Sequence, residues 1–178
     1  MSRLATTDSL TGVRSKRFLL DNGNKFLNKD ANKPVSAMIM DIDHFKKIND
    51  LLGHLTGDHV LAGIGVQLNE SFPDDMVVRF GGEEFSIIMS NTNAEQAAER
   101  AENLRSQIEQ LRPANVDVSF SIGVISSEDH PDADITKLLS LADKALYTAK
   151  ENGRNRVYIA TKTGPEPLIL ASNESITL

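Results

Sequence analysis

The sequence predicts an α/β (α+β) domain, a central mixed, largely antiparallel sheet of about five strands surrounded by helices. Three observations predict it. Residues 35–43, VSAMIMDID, are apolar up to Met40 and end in two carboxylates, the pattern of a buried strand that delivers charge at its C-terminal end. Residues 76–80 and 84–89 read as short strands on either side of Gly81-Gly82, a dipeptide suited to the positive φ values of a tight hairpin. Residues 93–111 and 135–149 carry apolar side chains at steps of three and four, which is helical spacing.

In chain order, a first helix over residues 15–29 buries Phe18, Leu19, Phe26 and Leu27, and the strand 35–43 follows. Asp58 is the candidate N-cap of the next helix, whose inner face carries Val60, Leu61, Ile64 and Leu68. After the hairpin, Asn93 caps a helix with Ala97, Ala101, Leu104, Ile108 and Leu111 on one face and charges on the other. Residues 116–126 form a strand. Ile135, Leu138, Leu139, Ala142, Ala145, Leu146 and Ala149 trace one face of a last helix, which Gly153 stops. Residues 156–160 complete the sheet, and the hairpin in its middle requires a mixed arrangement. No internal repeat or low-complexity stretch interrupts this order, so one continuous domain is expected over residues 5–160. The tail, residues 161–178, reads as linker or terminus because Gly164, Pro165 and Pro167 break any periodicity, with Leu168 to Leu170 able to dock on the core.

A chain of 178 residues with 40% hydrophobic content supports one domain with a single sizeable core. The net charge is −6 and the charges are interspersed, so no basic stripe points to a nucleic-acid backbone. Cysteine is absent, which excludes disulfides, thiolate metal sites and a cysteine nucleophile, and is compatible with a reducing compartment. No apolar run approaches the roughly 18 residues of a membrane span, and residues 1–7 lack the apolar stretch of a secretory signal. The expectation is a cytoplasmic chain without direct membrane contact, whose parent could be tethered to an inner membrane.

Asp41 and Asp43 alternate onto one face of a strand end, and Glu83 emerges at the hairpin turn, so three carboxylates converge if these strands are neighbours. Carboxylate oxygens suit a hard cation such as Mg²⁺, which typically takes one or two protein carboxylates with phosphate oxygens and water completing its shell. The competing reading stays open. Acidic residues at turns and strand ends are often solvated or cap helices, and Asp43 can cap a helix beginning at His44.

Residues 79–85, RFGGEEF, resemble the GGDEF signature in its variant with Glu at the third position. They are accompanied in order by DSLTG at 8–12, DIDHFKKIND at 41–50, GHLTGD at 53–58 and ADKALYTAKENGRN at 142–155. The five matches span nearly the whole chain except its tail, and the sequence is identified as a member of the diguanylate cyclase catalytic domain family. The resemblance implies a fold like that of polymerase palms and adenylyl cyclases. It implies condensation of two GTP into cyclic di-GMP and two pyrophosphates, a second-messenger reaction in bacterial control of biofilm and motility. It further implies two Mg²⁺ or Mn²⁺ ions per site, held by Asp41, the backbone carbonyl of Ile42 and Glu83. Glu83 is the first choice for catalysis, with Asp41 beside it, and is also implicated in removing the proton from the attacking hydroxyl. Glu84, on the opposite face of a regular strand, is a supporting residue with direct metal contact open.

The resemblance assigns Asn49 and Asp58 to guanine recognition, with His54 in the same pocket and Leu10 and Leu61 against the base. A carboxylate can accept from guanine N1–H and the exocyclic amine together, whereas adenine has no donor at N1. From residue type alone, Asp58 is an N-cap, Asn49 a loop amide, His54 a turn or core residue, and both leucines are core. Lys46, Lys150 and Arg154 resemble triphosphate contacts, and Lys150 and Arg154, four apart, can share a helix face. The same cations would also suit a helix C-terminus while remaining solvated. The amides of His44 and Phe45 can add phosphate donors if they open a helix; the Phe45 and Phe85 rings read as packing.

Two positions depart from the family pattern. Val13-Arg14-Ser15-Lys16 stands where Leu-x-Asn-Arg is usual, so Lys16 is expected to pair with Asp8 in place of the arginine. The inhibitory Arg-x-x-Asp frame falls on Phe72-Pro73-Asp74-Asp75, without its arginine, which puts product feedback at that site in doubt. The resemblance also implies a homodimer for catalysis and fusion to a sensory or dimerising domain in a longer parent. The alternative function is a catalytically weak module that binds GTP or cyclic di-GMP and regulates an attached domain; an unrelated metal-binding domain is a third.

Overall fold

The computed structural model describes residues 6–169. In order these form β1 (Arg14–Ser15), α1 (Lys16–Asn28), β2 (Ser36–Ile42), α2 (Phe45–Leu52), α3 (His54–Ser71), β3 (Met76–Gly81), β4 (Glu84–Met89), α4 (Ala94–Leu111), β5 (Phe120–Ser126), α5 (Ile135–Glu151), β6 (Val157–Thr161) and β7 (Gly164–Pro167). The strands make one sheet in the order β1-β3-β4-β2-β5-β6-β7. The β1–β3 and β5–β6 pairs are parallel and the other four antiparallel. The five expected strands are its centre, and two short strands the sequence does not announce close its edges.

β2 lies between β4 and β5, which explains the apolar run from Ala37 to Met40: a strand covered on both faces takes apolar side chains at successive positions. Met38, Met40 and Ile42 point into the layer shared with Phe85, Ile87, Phe120, Ile122 and the inner faces of α3 and α4. Ala37 and Ile39 point into the opposite layer, with Ile88, Ile125 and the apolar faces of α1 and α5. Each fully buried side chain of this size contributes roughly 1.5–3 kcal/mol. α5 lies close on the sheet because Gly123 has no side chain; a Cβ there would stand 2.1 Å from the Ala142 carbonyl oxygen.

Several expectations are corrected. The helix assigned to Asp58 begins four residues earlier, at His54, because Gly53 at φ 90° ends α2 and starts α3, leaving Asp58 inside the helix rather than at its cap. The hairpin forms, but neither Gly81 nor Gly82 has positive φ, since a register shift between Arg79 and Gly81 absorbs the turn. β5 starts at Phe120 rather than at residue 116. Asn93 does cap α4, with Gln96 completing a reciprocal capping box.

Residues 164–167, expected as linker, pair with β6 instead, and Leu168 packs on the core while its amide donates to the Val157 carbonyl. Pro165 and Pro167 are tolerated because β7 is an edge strand, where a missing N–H costs no ladder bond. Position 5 and Leu170 lie outside the described residues. No helix among the described residues is long and apolar enough to cross a membrane.

Candidate active site

The C-terminal end of β2 places Asp41 opposite Glu84 of β4 and Ser121 of β5. Asp41 and Glu84 therefore share the sheet face that α5 covers, so Glu84 stands beside Asp41 rather than apart from it. Glu83 occupies the turn just before, and its carbonyl accepts from the Ile42 amide at 3.2 Å. From α5, Lys150 donates to Asp41 Oδ2.

Burial, and after it the close grouping of carboxylates, raises the proton affinity of these groups. Burial pushes Asp41 up, with Lys150 opposing that shift and Asp43 and Asp143 adding to it. Burial and the Asp41 charge push Glu83 up. Glu84 is pushed furthest, to about 7, by burial first and then by Asp143 and Asp41. Asp143, seven residues before Lys150 on the same helix face, is a neighbour that the sequence reading missed; the spacing was its signal.

A divalent cation fits this donor set. Asp41 Oδ1 is buried without a hydrogen-bond partner, and Glu83 and Glu84 carry unfavourable negative charge beside it. Among the described residues no three acidic or imidazole side chains form a closed cage, so phosphate and water oxygens would have to complete a hexacoordinate shell.

Across the strand end, α2 opens at His44, in the left-handed region at φ 56° and without a side-chain cap. Asp43 is therefore not the expected cap of that helix. Its carboxylate accepts instead from Ser119 Oγ and Ser121 Oγ, both at 2.6 Å, and from the Asn155 amide at 3.0 Å. The His44 and Phe45 amides sit at the opening of α2 as expected, and the Phe45 ring is buried. Lys46 is exposed, 3.9 Å from Asp50.

Asn49 packs against α3 at Gly57: a Cβ on Gly57 would lie 1.9 Å from Asn49 Oδ1, so this glycine makes room for the amide. Asn49 Oδ1 is a second buried acceptor without a partner. Asp58, the next residue, and His54 are both exposed along the first turns of the same helix. Leu61 belongs to the core and Leu10 packs on it half-buried. α5 ends at Glu151, so Arg154 does not share a helix face with Lys150; it lies exposed in the following turn at φ 64°.

Asp8 pairs with Arg79 at 3.2 Å and accepts from the Thr11 amide and hydroxyl at 3.0 and 2.7 Å. Burial alone would raise its pKa, but the Thr11 bonds and the Arg79 guanidinium bring it below the ordinary value. Lys16 does not take this role; its ammonium lies 4.6 Å from the Phe80 ring centroid. In the inhibitory frame, Asp75 is taken by Arg100 at 2.6 Å, whose guanidinium stands 4.7 Å from the Phe72 ring centroid.

Residues 5–156 match the family described as "Diguanylate cyclase, GGDEF domain". The chain is 35% identical over 163 residues to the probable diguanylate cyclase DgcT of Escherichia coli K12, covering 88% of this chain and 36% of that protein. It is 38% identical over 159 residues to the diguanylate cyclase DosC of the same strain, covering 84% of this chain and 34% of DosC. It thus spans about a third of the length of these relatives. The GGDEF domain of DgcB from Caulobacter crescentus, solved in complex with c-di-GMP, superposes with a TM-score of 0.79 at 29% identity, covering 90% of this chain and 98% of that one.

Proposed function

Since the chain belongs to the GGDEF diguanylate cyclase domain family, we propose that it condenses two GTP molecules into cyclic di-GMP and two pyrophosphates. The observation that carries this reading is the cluster of Asp41, Glu83 and Glu84 at neighbouring strand ends, with Lys150 against it and a buried oxygen of Asp41 left unpaired.

In this reading Asp41, the Ile42 carbonyl, Glu83 and Glu84 would hold two Mg²⁺ or Mn²⁺ ions, which would supply acidity for the ribose 3′-hydroxyl and positive charge against the phosphates. Glu83 and Asp41 are the catalytic residues, with Glu83 beside the attacking hydroxyl as the group to take up its proton. Lys150, now on Asp41, together with Arg154, Lys46 and the His44 and Phe45 amides, neutralises the triphosphate. The unpaired oxygen of Asn49 accepts from guanine, Asp58 accepts from its N1 and amino groups, and His54 borders the same pocket. Leu10 forms the apolar side of that pocket, and Leu61 supports it from the core.

One site holds one GTP, so the reaction takes place between two copies of the domain in a homodimer, fused in the parent to a sensory or dimerising segment. GTP as substrate places the domain in the cytoplasm, and its output is second-messenger signalling.

Incubation of the chain with GTP and Mg²⁺, followed by product analysis, tests the proposal. Cyclic di-GMP is the expected product. Tight GTP binding without turnover at high protein concentration would overturn it and leave a nucleotide-binding regulatory module.

A further inference from the structure

Asp43 is 8% exposed, and hydrogen bonds engage both of its oxygens. Two of its donors are hydroxyls of Ser119 and Ser121, on or just before β5, which hold the carboxylate in one orientation. The Asp43 amide is also tied, to the Ser119 carbonyl at 2.9 Å. The third donor is different in kind, the main-chain N–H of Asn155 at 3.0 Å.

Asn155 and Arg154 are consecutive non-glycine residues in the left-handed region, at φ 47° and 64°. Such a pair persists only where surrounding bonds dictate it. The Arg154 amide returns to the Ala149 carbonyl at 3.0 Å, and Arg105 of α4 donates to Asn155 Oδ1 at 2.8 Å. The Asp43 contact is the one that joins this turn to the strand end carrying Asp41. Asp41 and Asp43, two residues apart, thus grip the end of α5 and the turn after it at two points, Lys150 and Asn155.

We infer that Asp43 is a positioning residue that fixes the direction of the Arg154 side chain through the Asn155 amide, and so sets the affinity of the site for the triphosphate. The inference rests on the reading of Arg154 as a triphosphate contact. Asp43 itself touches no substrate. An amide side chain can replace it, because its oxygen can receive the Asn155 N–H and the Ser119 hydroxyl at the Oδ2 position while the Ser121 hydroxyl rotates to accept from its NH₂.

The test is calorimetric titration of the chain with Mg²⁺ and 3′-deoxy-GTP, which carries the triphosphate but no nucleophile. Asp43→Ala is expected to weaken binding roughly tenfold, with Asp43→Asn within about threefold of the parent. In an Arg154→Ala background, Asp43→Ala should add less than about twofold, because the two act through one contact. If Asp43→Ala does not fold, Asp43→Ser serves, being able to meet a serine hydroxyl but too short to reach the Asn155 amide. Full additivity of the Asp43 and Arg154 effects, or unchanged binding in the alanine variant, would overturn the inference alone. Unchanged binding in Arg154→Ala by itself would overturn the phosphate-contact reading and this inference with it.

Discussion

Asp41 of β2 stands directly opposite Glu84 of β4 in antiparallel register, on the sheet face that α5 covers. Carboxylates directly opposite each other repel. Lys150 relieves Asp41, whereas burial, Asp143 and Asp41 leave Glu84 titrating near neutrality, at about 7.

A pH dependence follows for the chain stripped of divalent ions. Glu84 binds its proton more tightly folded than unfolded, so its contribution to stability is fully present below the ordinary glutamate range and is lost as pH rises to about 7. Asp41 and Glu83, also raised, act in the same direction. Melting temperature in chelator should fall between pH 5 and pH 8, less steeply for Glu84→Gln, with Mg²⁺ restoring stability at the upper end. Identical pH profiles for the variant and the parent would remove Glu84 from this role.

Glu83→Gln and Asp41→Asn keep shape and remove charge. Each should lower turnover by roughly two to three orders of magnitude while the far-ultraviolet spectrum stays unchanged. Turnover within a few-fold of the parent at matched Mg²⁺ would falsify their roles.

Gly57→Ala inserts a methyl group where Asn49 Oδ1 now lies. GTP binding should weaken by roughly tenfold, with most of the loss in guanine recognition, because a buried acceptor is displaced. Asp58→Ala should narrow the preference for GTP over ATP. An unchanged GTP-to-ATP ratio in both variants would place base recognition elsewhere.

Arg100 already occupies Asp75 and covers Phe72. Cyclic di-GMP should therefore bind weakly and inhibit little. Tight binding in calorimetry, lost on Asp75→Ala, would show that the site works without the usual arginine.

The reaction needs two sites facing each other across a two-fold axis, since each supplies half of a symmetric product. Specific activity should rise with protein concentration and rise again on fusion to a dimerising coiled coil. Constant specific activity on dilution, with light scattering showing monomer throughout, would rule out the mechanism.

The sequence by itself determined the five central strands, the helices that cover them and most candidate residues, because apolar periodicity and five short motifs are local properties. Asp41, Glu83 and Lys150 were legible in this way. Only the tertiary structure decided their relations. Register set Asp41 against Glu84, which no local pattern encodes, and the packing of α5 on the sheet brought Asp143 beside them. Asp43 was misread as a cap because its donors, Ser119, Ser121 and Asn155, lie more than 70 positions away. Arg79 took Asp8 from Lys16, and Arg100 of α4 took Asp75, for the same reason. Residues 164–167 became a strand against their own composition because β6 offered an open edge, where proline gives up no bond.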